Sequence, residues 1–372
     1  MRPPKLKSKC AICSGDGDGF HFGAEACKAC TAFFRRSIQL KKTFKCRGND
    51  DCDVTINVRC MCRSCRFSKC LQVGMNPMGV QLKMDSNTED VPDAPSNSES
   101  SLLLVLPEPY NDSMPLLTKM RVNYEKLLSA RRIMHNKDGQ NLFKEHVSIP
   151  STYKVTIDEG IKDVSLTADW VSWCFEDFAK LPIEQKHILF RNFYTPFFIL
   201  ESAFMSHLKN SPDFFVFPSG NYVDLNDLES FHKDVEINQK MTREQFLEFL
   251  KPTYEMHRRT IVQPMMSENL DIFEFFALTT FVLWNTTLED ITEECSRIGK
   301  SIKDQIMREL SFYLRNFKRF EDPVIRVAGI LNLIPDLYKN TRRIQDEMEM
   351  IQVFDFYNSP KQLYDLVHGN FC

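Results

Sequence analysis

From about residue 116 to the end of the chain, apolar residues recur at helical spacing. Within residues 167–181, Trp170, Trp173, Cys174, Asp177 and Phe178 fall at i, i+3, i+4, i+7 and i+8, a stripe with one polar member that predicts an amphipathic helix. The same period runs through HILFRNFYTPFFILESAFMSHL, DIFEFFALTTFVLWN and SFYLRNFKRF. Thr242 and Gln245 have the spacing of a capping box and predict a helix opening at REQFLEFL. Alternating, strand-like text is confined to FFVFPSGNYVD. About 250 residues of this pattern are enough for an all-α domain with a sizeable core. The 30 Phe of the chain are read chiefly as core, some of them as the lining of an internal cavity.

The first 84 residues have a different texture. Between two cysteine pairs, the segment CKACTAFFRRSIQL placed on a helix puts Cys30, Phe34 and Ile38 on one face with Phe33 beside them, and Lys28, Thr31 and Arg35 on another. A second short helix is expected after Cys62, with Phe67, Cys70 and Leu71 on its apolar side and Cys70 a buried thiol. Residues 85–115 carry seven acidic side chains, no Lys or Arg, and repeated Ser, Asn and Pro. Such a composition buries too little apolar surface to offset its ordering entropy and predicts a hinge. Three segments result: 7–84, 85–115 and 116–372.

The net charge of -3 conceals an uneven distribution. Residues 1–84 balance at +10 and the remainder at -13, and a compact cationic module suits a polyanionic partner whose phosphates reward Lys and Arg by counterion release. The start MRPPKLKSKC lacks the apolar stretch of a signal peptide, and no apolar run approaches the roughly 20 residues of a membrane span, so an intracellular protein without a membrane partner is expected. In that setting cysteines at regular spacing point to metal rather than disulfides. Eight form four pairs, Cys10/Cys13, Cys27/Cys30, Cys46/Cys52 and Cys62/Cys65, with spacers of 13, 15 and 9 residues. Two four-thiolate sites for two structural zinc ions follow, neither with an open position for a catalytic water. Cys60 competes with Cys62 but stands four residues from Cys65 rather than two. No G-x-S-x-G, H-E-x-x-H or phosphate loop is present, and no enzyme is expected.

These two sites, the helix C-x-x-C-x-x-F-F-R-R and the later CRSCRFSKCLxxGM together resemble the DNA-binding domain of nuclear hormone receptors over residues 10–80. The form CKACTAFFRR is similar to the divergent nematode branch, derived from hepatocyte-nuclear-factor-type receptors, which GMNPMGVQ also resembles. The resemblance implies a small α-rich domain with two four-cysteine zinc sites plus a separate all-α ligand-binding-type domain. It implies a nuclear, sequence-specific transcription factor that reads double-stranded DNA through the first zinc-anchored helix. By position, Lys28, Ala29, Thr31 and Ala32 become the base-reading box, and Arg35 and Arg36 meet base edges and phosphate. His21 matches a phosphate-contacting position, although its usual Tyr neighbour is here Phe22. Arg59, Arg63, Arg66 and Lys69 would position the domain on the backbone. Lys28 stands where better-known receptors carry Gly or Glu, so their half-site preferences do not transfer.

The segment Phe178-Ala-Lys180-Leu-Pro through Leu189 resembles the helix 3–5 signature of the receptors' second domain. Lys180 would then cap a partner helix of a coactivator or corepressor, with Asp365, Leu366 and Val367 of the last helix completing the groove. There Gln362 replaces an apolar residue and Asp365 a glutamate. The family's carboxylate-binding arginine falls at Leu208, which implies a neutral lipophilic small molecule or a cavity filled by the chain's own Phe. Homodimer, heterodimer and monomer all remain open, as do two other readings: a zinc-module adaptor, which weak and salt-insensitive DNA binding would favour, and a constitutive, ligand-independent factor.

Overall fold

The computed structural model of the protein describes residues 9–39, 44–46, 48, 52–56, 62–75, 113–135, 148–238 and 240–370. They fall in two compact units, one within residues 1–93 and one within 94–372.

In the first unit a turn after Cys10 leads into a short antiparallel hairpin, β1 (Phe20–His21) with β2 (Ala24–Glu25), paired Phe20 to Glu25 and His21 to Ala24. Helix α1 (Lys28–Gln39) starts directly after Cys27 and α2 (Arg63–Gln72) directly after Cys62. Cys30, Phe34 and Ser37 of α1 are buried, and Lys28, Arg35 and Arg36 are exposed. The two helices meet through Phe34 and Phe67, ring centroids 5.8 Å apart, and Phe22 packs against Phe34 at 5.8 Å. Cys70 is fully buried on this seam as expected, and burial pushes its thiol up to about 12. The core is therefore small, built from cysteines, Phe34 and a few short or aliphatic side chains such as Ile12, Ala26 and Val54, too little to stand without cross-links.

The second unit is helical, as expected. Its elements run α3 (Pro115–His135), α4 (Tyr153–Cys174), α5 (Glu176–Lys180), α6 (Ile183–Leu208), β3 (Phe214–Val216), β4 (Tyr222–Asp224), α7 (Leu228–Phe231) and α8 (Arg243–His257). A π turn (Arg258–Val262) then leads to α9 (Gln263–Ser267), α10 (Ile272–Leu283), α11 (Glu293–Asn316), α12 (Pro323–Leu331), α13 (Leu333–Phe354) and α14 (Lys361–His368). Helices α6 and α10 form the centre. From Phe275 to Thr280 every residue of α10 is buried, and α6 is buried from Phe193 to Ser206 apart from Phe198. A helix apolar on all sides belongs inside, and α3, α4, α11 and α13 cover these two. The rings interlock, with Phe204 stacked on Phe275 at 4.4 Å, Phe193 on Phe197 at 4.9 Å and Trp170 on Phe197 at 5.2 Å.

Local signals match local structure. Thr242 and Gln245 form the anticipated capping box, Asp271 and Glu274 form another, and FFVFPSGNYVD is the β3–β4 hairpin. One feature differs from the periodicity. The stripe of residues 167–181 is not one helix, because Phe175 takes extended backbone angles and buries its ring, so α4 ends and α5 restarts. In consequence Trp170, Cys174 and Phe178 are buried, but Trp173 is 41% exposed. At the end of the segment expected as a hinge, Met114 is buried in the core and α3 begins at Pro115; residues 85–112 lie outside the described residues. The first turn of α3 carries no acidic residue, and the buried Glu309 of α11 supplies one from across the core, accepting the Leu116 and Leu117 N–H groups at 3.2 and 2.9 Å.

Candidate functional site

The eight cysteines converge as two quartets, Cys10/Cys13/Cys27/Cys30 and Cys46/Cys52/Cys62/Cys65, in each of which all four sulfurs lie within 4.8 Å of one another. Neighbouring sulfurs stand 3.7 Å apart at Cys13–Cys27 and 3.6–3.7 Å from Cys46 to Cys52, Cys62 and Cys65. Four thiolates about 2.3 Å from a tetrahedral zinc have edges of about 3.8 Å, so both quartets fit the ion. Each holds one structural zinc. Backbone N–H groups of Gly48, Cys52 and Cys65 donate to the sulfurs of Cys46, Cys65 and Cys62, the supporting bonds that orient metal ligands. The same Cys65 N–H brings the Cys62 thiol down to about 7, whereas burial raises that of Cys30. Because thiolate is the ligand form, metal binding releases protons and depends on pH. Cys60 lies outside the described residues.

Helix α1 emerges from the first quartet. Cys30 anchors it from below, Phe34 and Ser37 press it inward, and its opposite side presents Lys28, Arg35 and Arg36 to solvent. Thr31, expected on that outer side, is half-buried, with its hydroxyl shielded and without a partner among the described residues. His21 is half-buried on β1 and stands 3.6 Å from Asp18, whose other carboxylate oxygen is 3.6 Å from Lys28 Nζ. Asp18 had no signal in the sequence, because nothing in its spacing shows that the hairpin carries it to the start of α1.

The cations around α2 divide. Arg63 is exposed, its guanidinium 5.6 Å from the Phe44 ring. Arg66 was expected on the phosphate face, but it is only 6% exposed and turns inward. Its Nη2 donates to Ala29 O at 2.9 Å and to Cys30 Sγ at 3.3 Å, and its guanidinium covers the Phe33 ring at 4.4 Å. The correction has a simple cause: α2 crosses α1 where the carbonyl, sulfur and ring all lie within reach of this side chain. Lys69 is half-buried and reaches Val54 O at 3.5 Å. Arg59 lies outside the described residues.

In the second unit Lys180 is the exposed last residue of α5. Helix α14 carries Asp365, Leu366 and Val367, all half-buried, and lies against α4, α6 and α13. Thr195 of α6 donates to Val367 O at 3.1 Å and Gln345 of α13 to the same oxygen at 3.2 Å, so two helices hold the end of α14. Gly160 of α4 leaves room for Leu366, to which an added Cβ would come within 3.4 Å. Gly369 ends α14 at φ 71°, against Arg191 O, where a Cβ would be only 2.4 Å away.

Residues 8–77 match the family described as a double treble clef zinc finger of C4 type, and residues 151–354 match the family described as the ligand-binding domain of nuclear hormone receptor. Over its whole length the chain is 51% identical to nuclear hormone receptor family member nhr-86 of Caenorhabditis elegans, covering 97% of that protein. It is 49% identical to member nhr-16 of the same organism, covering both chains completely, and 37% identical to member nhr-12 over 98% of this chain and 90% of that one. With a DNA-binding finger that holds two zinc ions, a ligand-binding domain behind it and relatives that match from end to end, the chain belongs to the nuclear hormone receptor family.

Proposed function

We propose that this ligand-regulated transcription factor acts in the nucleus and reads duplex DNA by laying α1 in the major groove. Lys28 and Arg35 then meet base edges, Arg36 and His21 meet the flanking backbone, and Arg63 contacts phosphate from α2. One observation carries the reading: a zinc-fixed helix buries one side and offers Lys28, Arg35 and Arg36 on the other. Lysine and arginine can bond guanine O6 and N7, which is direct readout, whereas the phosphate contacts set register and carry the salt dependence. Thr31, half-buried at the middle of this side, is suited to a close apolar contact such as a thymine methyl.

In the second unit Lys180 and the α14 residues Asp365, Leu366 and Val367 frame a groove for an amphipathic coregulator helix. The support is that α14 is seated on α4, α6 and α13 with its last carbonyls capped. The test of the DNA reading is selection of duplexes from a random pool by the full-length, zinc-loaded protein, repeated with Lys28→Ala and Arg35→Ala. Enrichment of one motif, with the variants losing discrimination at single positions, supports it. Unchanged enrichment in both variants would remove α1 as the reading helix.

A further inference from the structure

The hairpin before α1 brings a carboxylate to the point where reading begins. The Asp18 N–H donates to Ala26 O at 3.0 Å and the Ala26 N–H to Gly19 O at 2.9 Å, which fixes Asp18 at the root of β1 and β2. From there its two oxygens face two different side chains, Oδ1 standing 3.6 Å from the Lys28 ammonium Nζ and Oδ2 3.6 Å from His21 Nε2. Both separations are longer than a good hydrogen bond, so the Asp18–Lys28 contact is Coulombic and can be exchanged without breaking a directed bond. Lys28 is 84% exposed and Asp18 38%, so both are open to an incoming ligand. Among the described residues neither Arg35 nor Arg36 has an ion-pair partner; of the exposed cations on α1, Lys28 is the one already held.

Resting on the reading of α1 as the DNA-reading helix, we infer that Asp18 is a specificity-determining positioning residue, an internal anion that Lys28 exchanges for a base edge. A duplex of arbitrary sequence offers this end of α1 mainly phosphates, and Asp18 repels them over a Debye length of about 8 Å at physiological salt. A correctly placed guanine offers Lys28 two acceptors, O6 and N7, in place of the carboxylate, which then remains with His21. Asp18 therefore weakens backbone-only binding more than it weakens base-specific binding. Its contribution is discrimination rather than affinity.

The experiment uses full-length, zinc-loaded protein with Asp18→Asn, Asp18→Glu, Lys28→Gln and the double variant Asp18→Asn/Lys28→Gln. Affinities for a duplex selected by the unmodified protein and for its scrambled version are measured across a salt series. In Asp18→Asn the scrambled duplex should tighten by about three- to tenfold with a salt slope steeper by up to about one unit, and the selected duplex by about twofold or less. Asp18→Glu should restore most of the discrimination, and Asp18→Asn should have no differential effect once Lys28 is Gln. An equal change on both duplexes, no change on either, or loss of zinc from Asp18→Asn would each overturn the role of Asp18 while leaving the reading of α1 intact. Failure of the unmodified protein to prefer any duplex would instead sink that reading itself.

Discussion

Arg66 of α2 lays its guanidinium 4.4 Å from the Phe33 ring of α1 while donating to the α1 carbonyl of Ala29, so a residue of the second zinc module serves as a rivet for the helix of the first. Its Nη2 is engaged inside the module, and at 6% exposure the side chain is turned away from solvent in this arrangement.

Arg66→Ala should therefore act through folding. Losing a charge-assisted hydrogen bond and a cation–π contact should cost about 2–3 kcal/mol and make zinc easier to extract. The salt slope of DNA binding, which counts phosphate contacts, should remain that of the unmodified protein. A slope reduced by one contact, with zinc retention unaltered, would return Arg66 to the phosphate face.

Removing zinc should separate the two units. Chelation should unfold the first, whose small core incorporates all eight ligands, and abolish DNA binding. The melting transition of the helical unit should persist, because its Cys174 and Cys295 belong to neither quartet. Circular dichroism and calorimetry with and without chelator check both halves.

Arg131, Asp163 and Glu201 form a fully buried cluster in which Arg131 bonds Asp163 at 2.7 and 2.8 Å and Glu201 at 2.7 Å, with Tyr124 donating to Glu201. Two carboxylates share one guanidinium, and burial raises Glu201 above its ordinary range. Arg131→Met would strand both acids and should cost about 3–5 kcal/mol. Chemical denaturation should show Arg131→Met much less stable than Arg131→Met/Glu201→Gln, and equal stabilities would refute the account.

His257 is 3% exposed with no hydrogen-bond partner among the described residues on either ring nitrogen, and burial pulls its pKa to about 3; that of His232 falls to about 4 for the same reason. Since the unfolded chain binds these protons near pH 6.5 and the folded chain does not, their contribution is complete above that pH. It is lost as pH falls below it. Glu347, raised by burial to about 7, has the opposite sign over the same window, so the whole protein's profile mixes the two. The difference between variants isolates one group: from pH 7 to pH 5.5, His257→Phe should gain about 1 kcal/mol relative to the unmodified protein. A constant difference across that range would mean that His257 titrates normally in the fold.

Gly369→Ala should unseat α14, since alanine at φ 71° is strained and its Cβ meets Arg191 O. If α14 completes the coregulator groove, Gly369→Ala, Lys180→Ala and Asp365→Ala should each weaken binding of an amphipathic helical peptide by about fivefold or more. Peptide titration that is indifferent to all three would dismiss the groove.

Much of this molecule is legible in its sequence because the responsible forces act over short distances along the chain. Metal-ligand spacing placed both quartets, since in three of the four pairs a two-residue spacer turns both sulfurs naturally to one ion. Period and capping chemistry located the helices and the box at Thr242 and Gln245. Charge asymmetry pointed to a polyanionic partner, and the helix after Cys27 could be drawn with its basic side outward. What the sequence left open depends on partners far away in the chain. Whether Arg66 faces DNA or Ala29, whether Asp18 lies beside Lys28, that Phe175 buries its ring and breaks the stripe at Trp173, and that Glu309 caps α3 were all decided by which elements pack together. A side chain's local pattern sets which face of its helix it occupies. Only the tertiary structure sets what that face meets, and the choice between solvent, phosphate and a buried carbonyl is made there.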